Sequence, residues 1–392
     1  MCYAIPGKVV GIKDNIVTVD YFGEKKKAKN DFYSLERGEY VYAQGGFVVQ
    51  KVSIQEAESI LDTWKELFFQ LQKTDLKLAQ NPKTLYQRAN YIRNKYLGNA
   101  CCIHGIIEFS NYCRCDCLYC GIRKSNSELL RYRMEPDEIV NGAVEAAKNL
   151  GFKALVLQSG EDLWYDDDKL VEIINKIREK AALLLVLSIG ERDVKTYKKL
   201  YKTGARGVLL RFETSNASLY QKLRPKHKLE DRIELLKKLR EVGYLIFTGF
   251  LIGLPGQTKE DIDNDIKLTA SLGTDMFSFG PFLPHPQTPL GKYPAPSLDA
   301  VLSIIANTRL ANPEAKILVT TALETLDKEN GMKFGLLAGG NSLMINLTPQ
   351  KYQRLYDIYP DRVGIEEDIS RRIDSTIKLL HSLGRAPADL GL

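Results

Sequence analysis

Cysteine is absent from all of the chain beyond Cys120, although seven occur among the first 120 of its 392 residues. So uneven a distribution speaks against a disulfide framework and suits one metal centre in a reducing compartment. No apolar run reaches the roughly 18 residues of a membrane-spanning helix. No export segment is legible at Met1-Cys2, which leads straight into a turn, so a cytoplasmic location without a membrane partner is expected. A dominant charge sign is lacking too. The 55 basic and 49 acidic residues leave a net +6, and it is scattered, which gives no ground for a nucleic-acid partner. What remains is a globular composition, 44% hydrophobic and 27% charged, long enough for two domains.

The stretch Ile106 to Arg123, IIEFSNYCRCDCLYCGIR, carries Cys113, Cys117 and Cys120 in the spacing C-x3-C-x2-C, with Tyr119 before the last thiol. Three thiolates on one loop can hold three irons of a cubic 4Fe–4S cluster. The fourth iron is then open to a ligand with amino and carboxylate groups. A structural zinc site is the bland alternative, with Cys115 as fourth ligand, but such sites usually draw their ligands from two separated pairs. The spacing, with its aromatic neighbour, resembles the signature of radical S-adenosylmethionine (SAM) enzymes.

The first fifty residues read as short strands broken by turns at Pro6-Gly7, Asp14-Asn15, Phe22-Gly23 and Arg37-Gly38, a pattern that suggests a small OB-type barrel. The basic run Lys25-Lys26-Lys27 reads as a solvated hairpin tip, or else a docking surface for an acidic partner. A helix is expected from about Ile54 to Leu71, on the apolar repeat of Ala57, Ile60, Leu61, Trp64, Leu67, Phe68 and Leu71. The start M-C-x-A-I-P-G-K-V and the stretch G-E-Y-V-x-x-x-x-G-F (Gly38 to Phe47) resemble the HypC family of hydrogenase-assembly chaperones. The resemblance implies that Cys2, exposed once Met1 is removed, ligates an iron carrying cyanide and carbon monoxide. A soft thiolate suits such an iron; the competing reading of Cys2 is an exposed terminal thiol with no ligand role. The family's His before the late Gly-Phe is Gln44 here, a weak iron ligand.

The polar stretch Gln72 to Pro82 reads as a linker, giving domains at 1–71 and 83–392. From Gly105 onward strand-like and helix-like runs alternate. Eight strand candidates, Ile106–Phe109, Ala154–Gln158, Leu183–Ser188, Gly207–Phe212, Leu245–Leu251, Met276–Phe282, Lys316–Thr320 and Leu343–Asn346, argue for an α/β (β/α)8 TIM-type barrel. Polar groups gather at the strand ends, where such barrels place their chemistry.

From about Gln72 to Leu392 the chain resembles the HydE family of radical SAM hydrogenase maturases, related to methylornithine synthase and biotin synthase. The matching runs include EFSNxCxxxCLYCG (Glu108–Gly121), RYRM (Arg131–Met134), LQSGED (Leu157–Asp162), LRxET (Leu210–Thr214), KLRP (Lys222–Pro225), GLPGQT (Gly253–Thr258), GPFxPHPxTPL (Gly280–Leu290) and TTA (Thr320–Ala322). The resemblance implies a (β/α)8 radical SAM barrel with one 4Fe–4S cluster on Cys113, Cys117 and Cys120. It implies SAM contacts from Tyr119, Gln158, Ser159, Ser188, Arg211, Glu213, Arg232, Met276, Met344 and Tyr356, with Arg232 on the SAM carboxylate and Thr320 and Thr321 at the substrate end. Core packing is the competing reading for Met276 and Met344, and a structural ion pair for Arg211 with Glu213. His285, between two prolines, reads as a strained turn residue. The implied reaction is reductive cleavage of SAM to a 5′-deoxyadenosyl radical, in maturation of a hydrogenase iron centre; the alternative is a small-molecule radical enzyme of the methylornithine synthase kind. Implied partners are a small-molecule or iron-complex substrate, an electron donor such as ferredoxin or flavodoxin, and hydrogenase maturation proteins. A second cluster is not expected, because Gly364, Arg372 and Ser375 stand where many family members have cysteine. The family's Arg ahead of the cluster strand is His104, and its His before the strand-four Glu is Phe212, so the substrate is expected to differ.

Overall fold

The computed structural model describes residues 5–388, residue 366 excepted, so Cys2 lies outside the described residues. The five strands β1 (Gly7–Lys13), β2 (Ile16–Tyr21), β3 (Glu24–Lys29), β4 (Tyr40–Gln44) and β5 (Phe47–Val52) form a closed barrel in the order β1-β2-β3-β5-β4. Alternation along β2 turns Val17, Val19 and Tyr21 inward, where they meet Val9, Ala28, Val41 and Val48. The basic run is strand rather than hairpin tip: Lys25, Lys26 and Lys27 pair with Asp20, Val19 and Thr18. The apolar stretch after the turn at Arg37-Gly38 is divided into two strands, β4 and β5. Gly45 and Gly46 turn between them at φ +61° and +85°, a left-handed backbone that suits glycine.

The helix that follows, α1, spans Ile54–Ala79 and passes straight through most of the expected linker. Its polar second half is helical because one face stays buried: Leu71, Asp75 and Ala79 recur every four residues and are shielded from solvent. Asp75 is the residue that misleads. It reads as a loop residue, yet it accepts from Arg93 Nη1 and Nη2, each at 2.6 Å, with both side chains buried. Arg93 lies on α2 (Leu85–Leu97), which opens with a capping box at Thr84 and Gln87. Only the few residues from Gln80 to Thr84 join the two helices.

The larger unit is a parallel barrel. Its strands are β6 (Cys102–Ser110), β7 (Ala154–Ser159), β8 (Leu184–Ser188), β9 (Gly207–Leu209), β10 (Leu245–Thr248), β12 (Met276–Phe277), β14 (Leu318–Val319) and β15 (Ser342–Asn346), and all neighbouring pairs are parallel. The sheet order is β12-β10-β9-β8-β7-β6-β15-β14, and a bridge from Phe277 to Ile317 joins its two edges. Two short strands, β11 (Leu251–Ile252) and β13 (Gly280–Pro281), extend the wall above β10 and β12. All eight strands expected from the sequence are present, several shorter than their apolar runs.

Inward-facing residues stack in layers, as in barrels of this type. Ala154, Leu184, Leu245, Val156, Val186 and Phe247 fill the lower interior, Ile106, Leu209, Leu318 and Met344 border it above, and the polar residues come last. The small barrel closes the lower end. Tyr40, Tyr42, Phe47, Val49 and Val52 belong to the same apolar cluster as those lower-layer residues. At Gly45 an added Cβ would stand 2.8 Å from Leu184 Cδ2. Among the described residues no helix is long and apolar enough to cross a membrane.

Candidate active site

The cluster loop leaves β6 at Ser110 and returns at Arg133, which bridges to Ser110. It has almost no regular structure, so other groups must fix its backbone. Arg131 does most of this. Its guanidinium donates to the carbonyls of Asn111 (2.6 Å), Ile122 (2.9 Å), Arg123 (2.6 Å) and Asn126 (3.2 Å). Asn111 adds bonds to Leu130 O at 2.8 Å and Leu355 O at 2.7 Å. Arg131, the first residue of the RYRM run, is therefore the clamp of the loop. Gly160 lets the loop approach β7, since a Cβ there would lie 2.2 Å from Tyr112 O and 2.8 Å from Cys113 Cβ.

Cys113, Cys117 and Cys120 project into one cavity of about 320 Å³ at the C-terminal end of the barrel. The Cys113 sulfur accepts from the Glu161 amide at 3.3 Å and the Cys115 amide at 3.4 Å. Burial pushes the Cys117 thiol up to about 11 and the Cys120 thiol up to about 12. Thiols so buried stay protonated at neutral pH, so a metal cofactor must displace their protons as it binds. Three converging sulfurs beside an open cavity fit three ligands of a cluster with one iron left free. Cys115 lines the cavity as well, but its sulfur is engaged by His227 Nε2 at 3.6 Å and Arg224 Nη2 at 3.8 Å.

Strand ends supply the rest of the wall. Gln158 and Ser159 come from β7 and Ser188 from β8, and Ser188 Oγ donates to Gln158 Oε1 at 3.1 Å. Arg211 and Glu213 follow β9 and form the ion pair anticipated from sequence, at 2.9 Å, but at the cavity wall. Glu213 has φ +66°, an uncommon backbone for a non-glycine residue that tends to mark functional positions. Arg232 is 4% exposed; its Nε donates to Glu191 at 2.6 Å and its Nη1 to Arg211 O at 2.8 Å. Two of its five N–H groups are thereby used; Nη2 lies 3.9 Å from Glu161 Oε1, beyond hydrogen-bond distance, so three N–H groups remain for a carboxylate. Thr320, Thr321, Tyr119, Met344 and Tyr356 complete the set.

Of the residues expected in the site, Met276 is misplaced. It is 1% exposed in the lower core, where its sulfur accepts from Ser342 Oγ at 3.6 Å. It begins β12, one inward position below Ser278, which follows the strand and lines the cavity. His285 is a clasp and not a strained turn: its Nε2 meets Asp357 Oδ2 at 2.8 Å and its Nδ1 accepts from the Gln287 amide at 3.1 Å.

Sequence reasoning missed a second ion pair in the wall. Glu108, 1% exposed, accepts from Arg362 and from Asn346 Nδ2 at 3.0 Å. Burial raises the Glu108 carboxyl, and Arg362 opposes that shift. Glu108 was findable, since it follows His104 and Ile106 on the inward face of one strand by the period of two. Arg362 lies outside regular structure after Tyr359-Pro360, and no local pattern announces it.

Two family models match the chain: the HupF/HypC family over residues 1–64 and the radical SAM superfamily over 107–269. A [FeFe] hydrogenase maturase subunit HydE from Thermotoga maritima is 41% identical over 305 residues, 78% of this chain and 87% of that protein. A 3-methylornithine synthase from Methanosarcina acetivorans is 32% identical over 82% of this chain and 91% of its own length. Among solved structures, methylornithine synthase superposes with a TM-score of 0.70 at 27% identity, covering 83% of this chain and 98% of that one. HydG from Carboxydothermus hydrogenoformans, at 0.64 and 20% identity over 83% of this chain and 79% of its own, shares the fold. Enzymes of this superfamily use a 4Fe–4S cluster and SAM. The chain belongs to the radical SAM superfamily, as a HydE-type barrel preceded by a HupF/HypC domain.

Proposed function

We propose that the protein is a maturase that processes an iron-complex substrate for a hydrogenase metal centre. One observation carries the reading: a HydE-type barrel and a HupF/HypC-type domain share one chain, and the small barrel is packed against the floor of the large one. Cys113, Cys117 and Cys120 hold the cluster. When bound, the cluster and SAM together supply one-electron cleavage of a carbon–sulfur bond and a 5′-deoxyadenosyl radical.

Arg232 binds the SAM carboxylate, oriented by Glu191. Tyr119, Gln158, Ser159, Ser188, Arg211, Glu213, Met344 and Tyr356 surround the remainder of SAM. Thr320, Thr321, Glu108, Asn346 and Arg362 border the substrate end, and the barrel wall excludes water from it. Cys2 of the small barrel receives or presents iron. Partners are an acidic one-electron carrier such as ferredoxin or flavodoxin, and other maturation proteins.

A strain lacking its own hydrogenase maturase, supplied with this chain, is the direct test. Restored hydrogenase activity that is lost with Cys2→Ala is expected. Absence of 5′-deoxyadenosine after anaerobic reduction of the cluster-loaded protein with SAM rules the enzyme out and leaves a non-catalytic iron carrier. The second reading, a methylornithine-synthase-like mutase, draws on the 0.70 TM-score and nearly complete coverage of that enzyme. It requires maturation to be unaffected while a diamino acid is consumed.

A further inference from the structure

Cys115 marks a thin part of the cavity wall. It lines the cavity, and its sulfur meets His227 Nε2 at 3.6 Å. The His227 side chain is 23% exposed, so one residue separates the cavity-lining sulfur from solvent. The backbone around this point is stitched together. Leu118 N–H donates to Leu223 O at 2.9 Å, Lys124 N–H to Cys115 O at 2.8 Å, and His227 N–H to Arg224 O at 3.1 Å. The last bond closes a turn through Lys226, which takes φ +70°. Two stretches of the cluster loop and the segment 222–228 therefore meet over the same patch of wall.

Positive charge collects on that patch. Lys124, Lys222, Lys226 and Lys228 are exposed, and none of them forms an ion pair among the described residues. The nearby carboxylates are already held: Asp116 by Arg123 at 2.8 Å, Glu161 by Arg114 at 3.1 Å and Glu191 by Arg232 at 2.6 Å. Glu230 and Asp231 lie in the first turn of the helix Leu229–Val242, where they complement its N-terminal dipole. The lysines thus leave an uncompensated positive field directly outside the cluster loop.

We propose that this face, with Lys124, Lys222, Lys226 and Lys228 around His227, docks an acidic one-electron carrier protein, which delivers its electron across the contact between His227 and Cys115. A carrier protein cannot enter a cavity of about 320 Å³, so its electron has to cross the wall. One electron leaves the carrier, which is oxidised by one, and reduces the cluster by one; no proton or group moves with it. Complementary charge speeds such encounters and orients them. Electron-transfer complexes also need only a small interface, below about 1,200 Å². The proposal rests on the carrier named as a partner in the reading above, and assigns where on the chain it binds. The basic strand at Lys25–Lys27 is the competing surface. It belongs to the small barrel, which closes the lower end, so the length of the large barrel separates it from the cluster loop.

The test titrates the full-length, cluster-loaded protein with oxidised flavodoxin and follows binding by calorimetry over a range of salt. Wild-type affinity should fall as salt rises. The triple variant Lys124→Glu, Lys226→Glu, Lys228→Glu should bind at least about tenfold more weakly and lose that salt dependence. The double variant Lys25→Glu, Lys27→Glu should bind like wild type. Cluster absorbance checks the fold of each. In stopped flow, flavodoxin hydroquinone should reduce the cluster of the triple variant at least about tenfold more slowly. Photoreduction by deazaflavin, which needs no docking, should proceed at the wild-type rate. Wild-type protein that does not bind flavodoxin overturns the docking face. So does a triple variant with wild-type affinity, or loss of binding in the double variant instead. Carrier binding that depends on these lysines, in a chain that cannot restore hydrogenase activity, overturns the maturase reading alone. Restored hydrogenase activity with carrier binding indifferent to them overturns the docking face alone.

Discussion

Arg232 Nε and Glu191 Oε1 lie 2.6 Å apart at the edge of the cavity, with His227 Nδ1 on the other carboxylate oxygen at 3.2 Å. The carboxylate fixes one edge of the guanidinium, and the fork that faces the cavity keeps its donors. A bidentate charge-assisted bond to a SAM carboxylate is among the stronger single contacts available to a protein. Arg232→Ala should weaken SAM binding to the cluster-loaded protein by at least about 100-fold, a loss of about 3 kcal/mol. Glu191→Gln, which keeps the shape but not the charge, should cost about tenfold. Anaerobic equilibrium dialysis measures both. Equal affinities in wild type and Arg232→Ala would mean that SAM lies elsewhere.

Cys115 separates the cluster reading from a four-thiolate metal site. Replacing Cys113, Cys117 or Cys120 with Ala should abolish the cluster and its visible absorbance. Cys115→Ala should keep about four irons per chain, because that sulfur contacts His227 and Arg224. Iron and sulfide analysis of the reconstituted variants decides. Loss of iron in Cys115→Ala as complete as in the other three would make Cys115 a ligand.

The barrel was legible because burial on both faces leaves continuous apolar strands, and regular spacing of helices between them is rare in other folds. Most of the site was legible because it sits at strand ends, where a short polar group after an apolar run stands out. Met276 was expected there by resemblance alone, and the competing reading, core packing, is what the structure shows. A methionine at the start of a strand looks like one at its end until the register of the barrel is known. Asp75 failed because nothing local distinguishes a carboxylate in a linker from one buried against an arginine eighteen residues away. Long-range partners of this kind, Glu108 with Arg362 among them, depend on the closed barrel and have no signature in a window of sequence.

That Asp75 pair couples α1, the helix after the small barrel, to the large one. Arg93, Asn94 and Arg385 all approach its carboxylate, the last at 3.3 Å. Asp75→Ala should leave two buried guanidinium groups without their counter-ion, a loss of about 3–5 kcal/mol. The thermal midpoint of the cluster-loaded protein should fall accordingly, with expression reduced. A midpoint within error of wild type would mean that the buried arginines are satisfied by their carbonyl partners alone.

His104 gives the protein a pH signature of defined sign. Its folded value, near 4, lies below the ordinary histidine value of 6.5, because burial and then Lys316 disfavour the charged ring. Well above pH 6.5 neither the folded nor the unfolded chain protonates this side chain, and its contribution is fully present. As pH falls toward 4 the unfolded chain takes up a proton that the folded one refuses, so stability is lost across that interval. Between about pH 7 and pH 5 the loss from this group amounts to about 2 kcal/mol. His104→Phe lacks the titrating group. The difference in unfolding free energy between wild type and His104→Phe, from urea titrations, should therefore shift by about that amount in favour of the variant as pH is lowered. A difference that stays constant over the same interval would show that the ring is protonated as readily in the fold as in the unfolded chain, which a wholly buried, unpartnered imidazole does not allow.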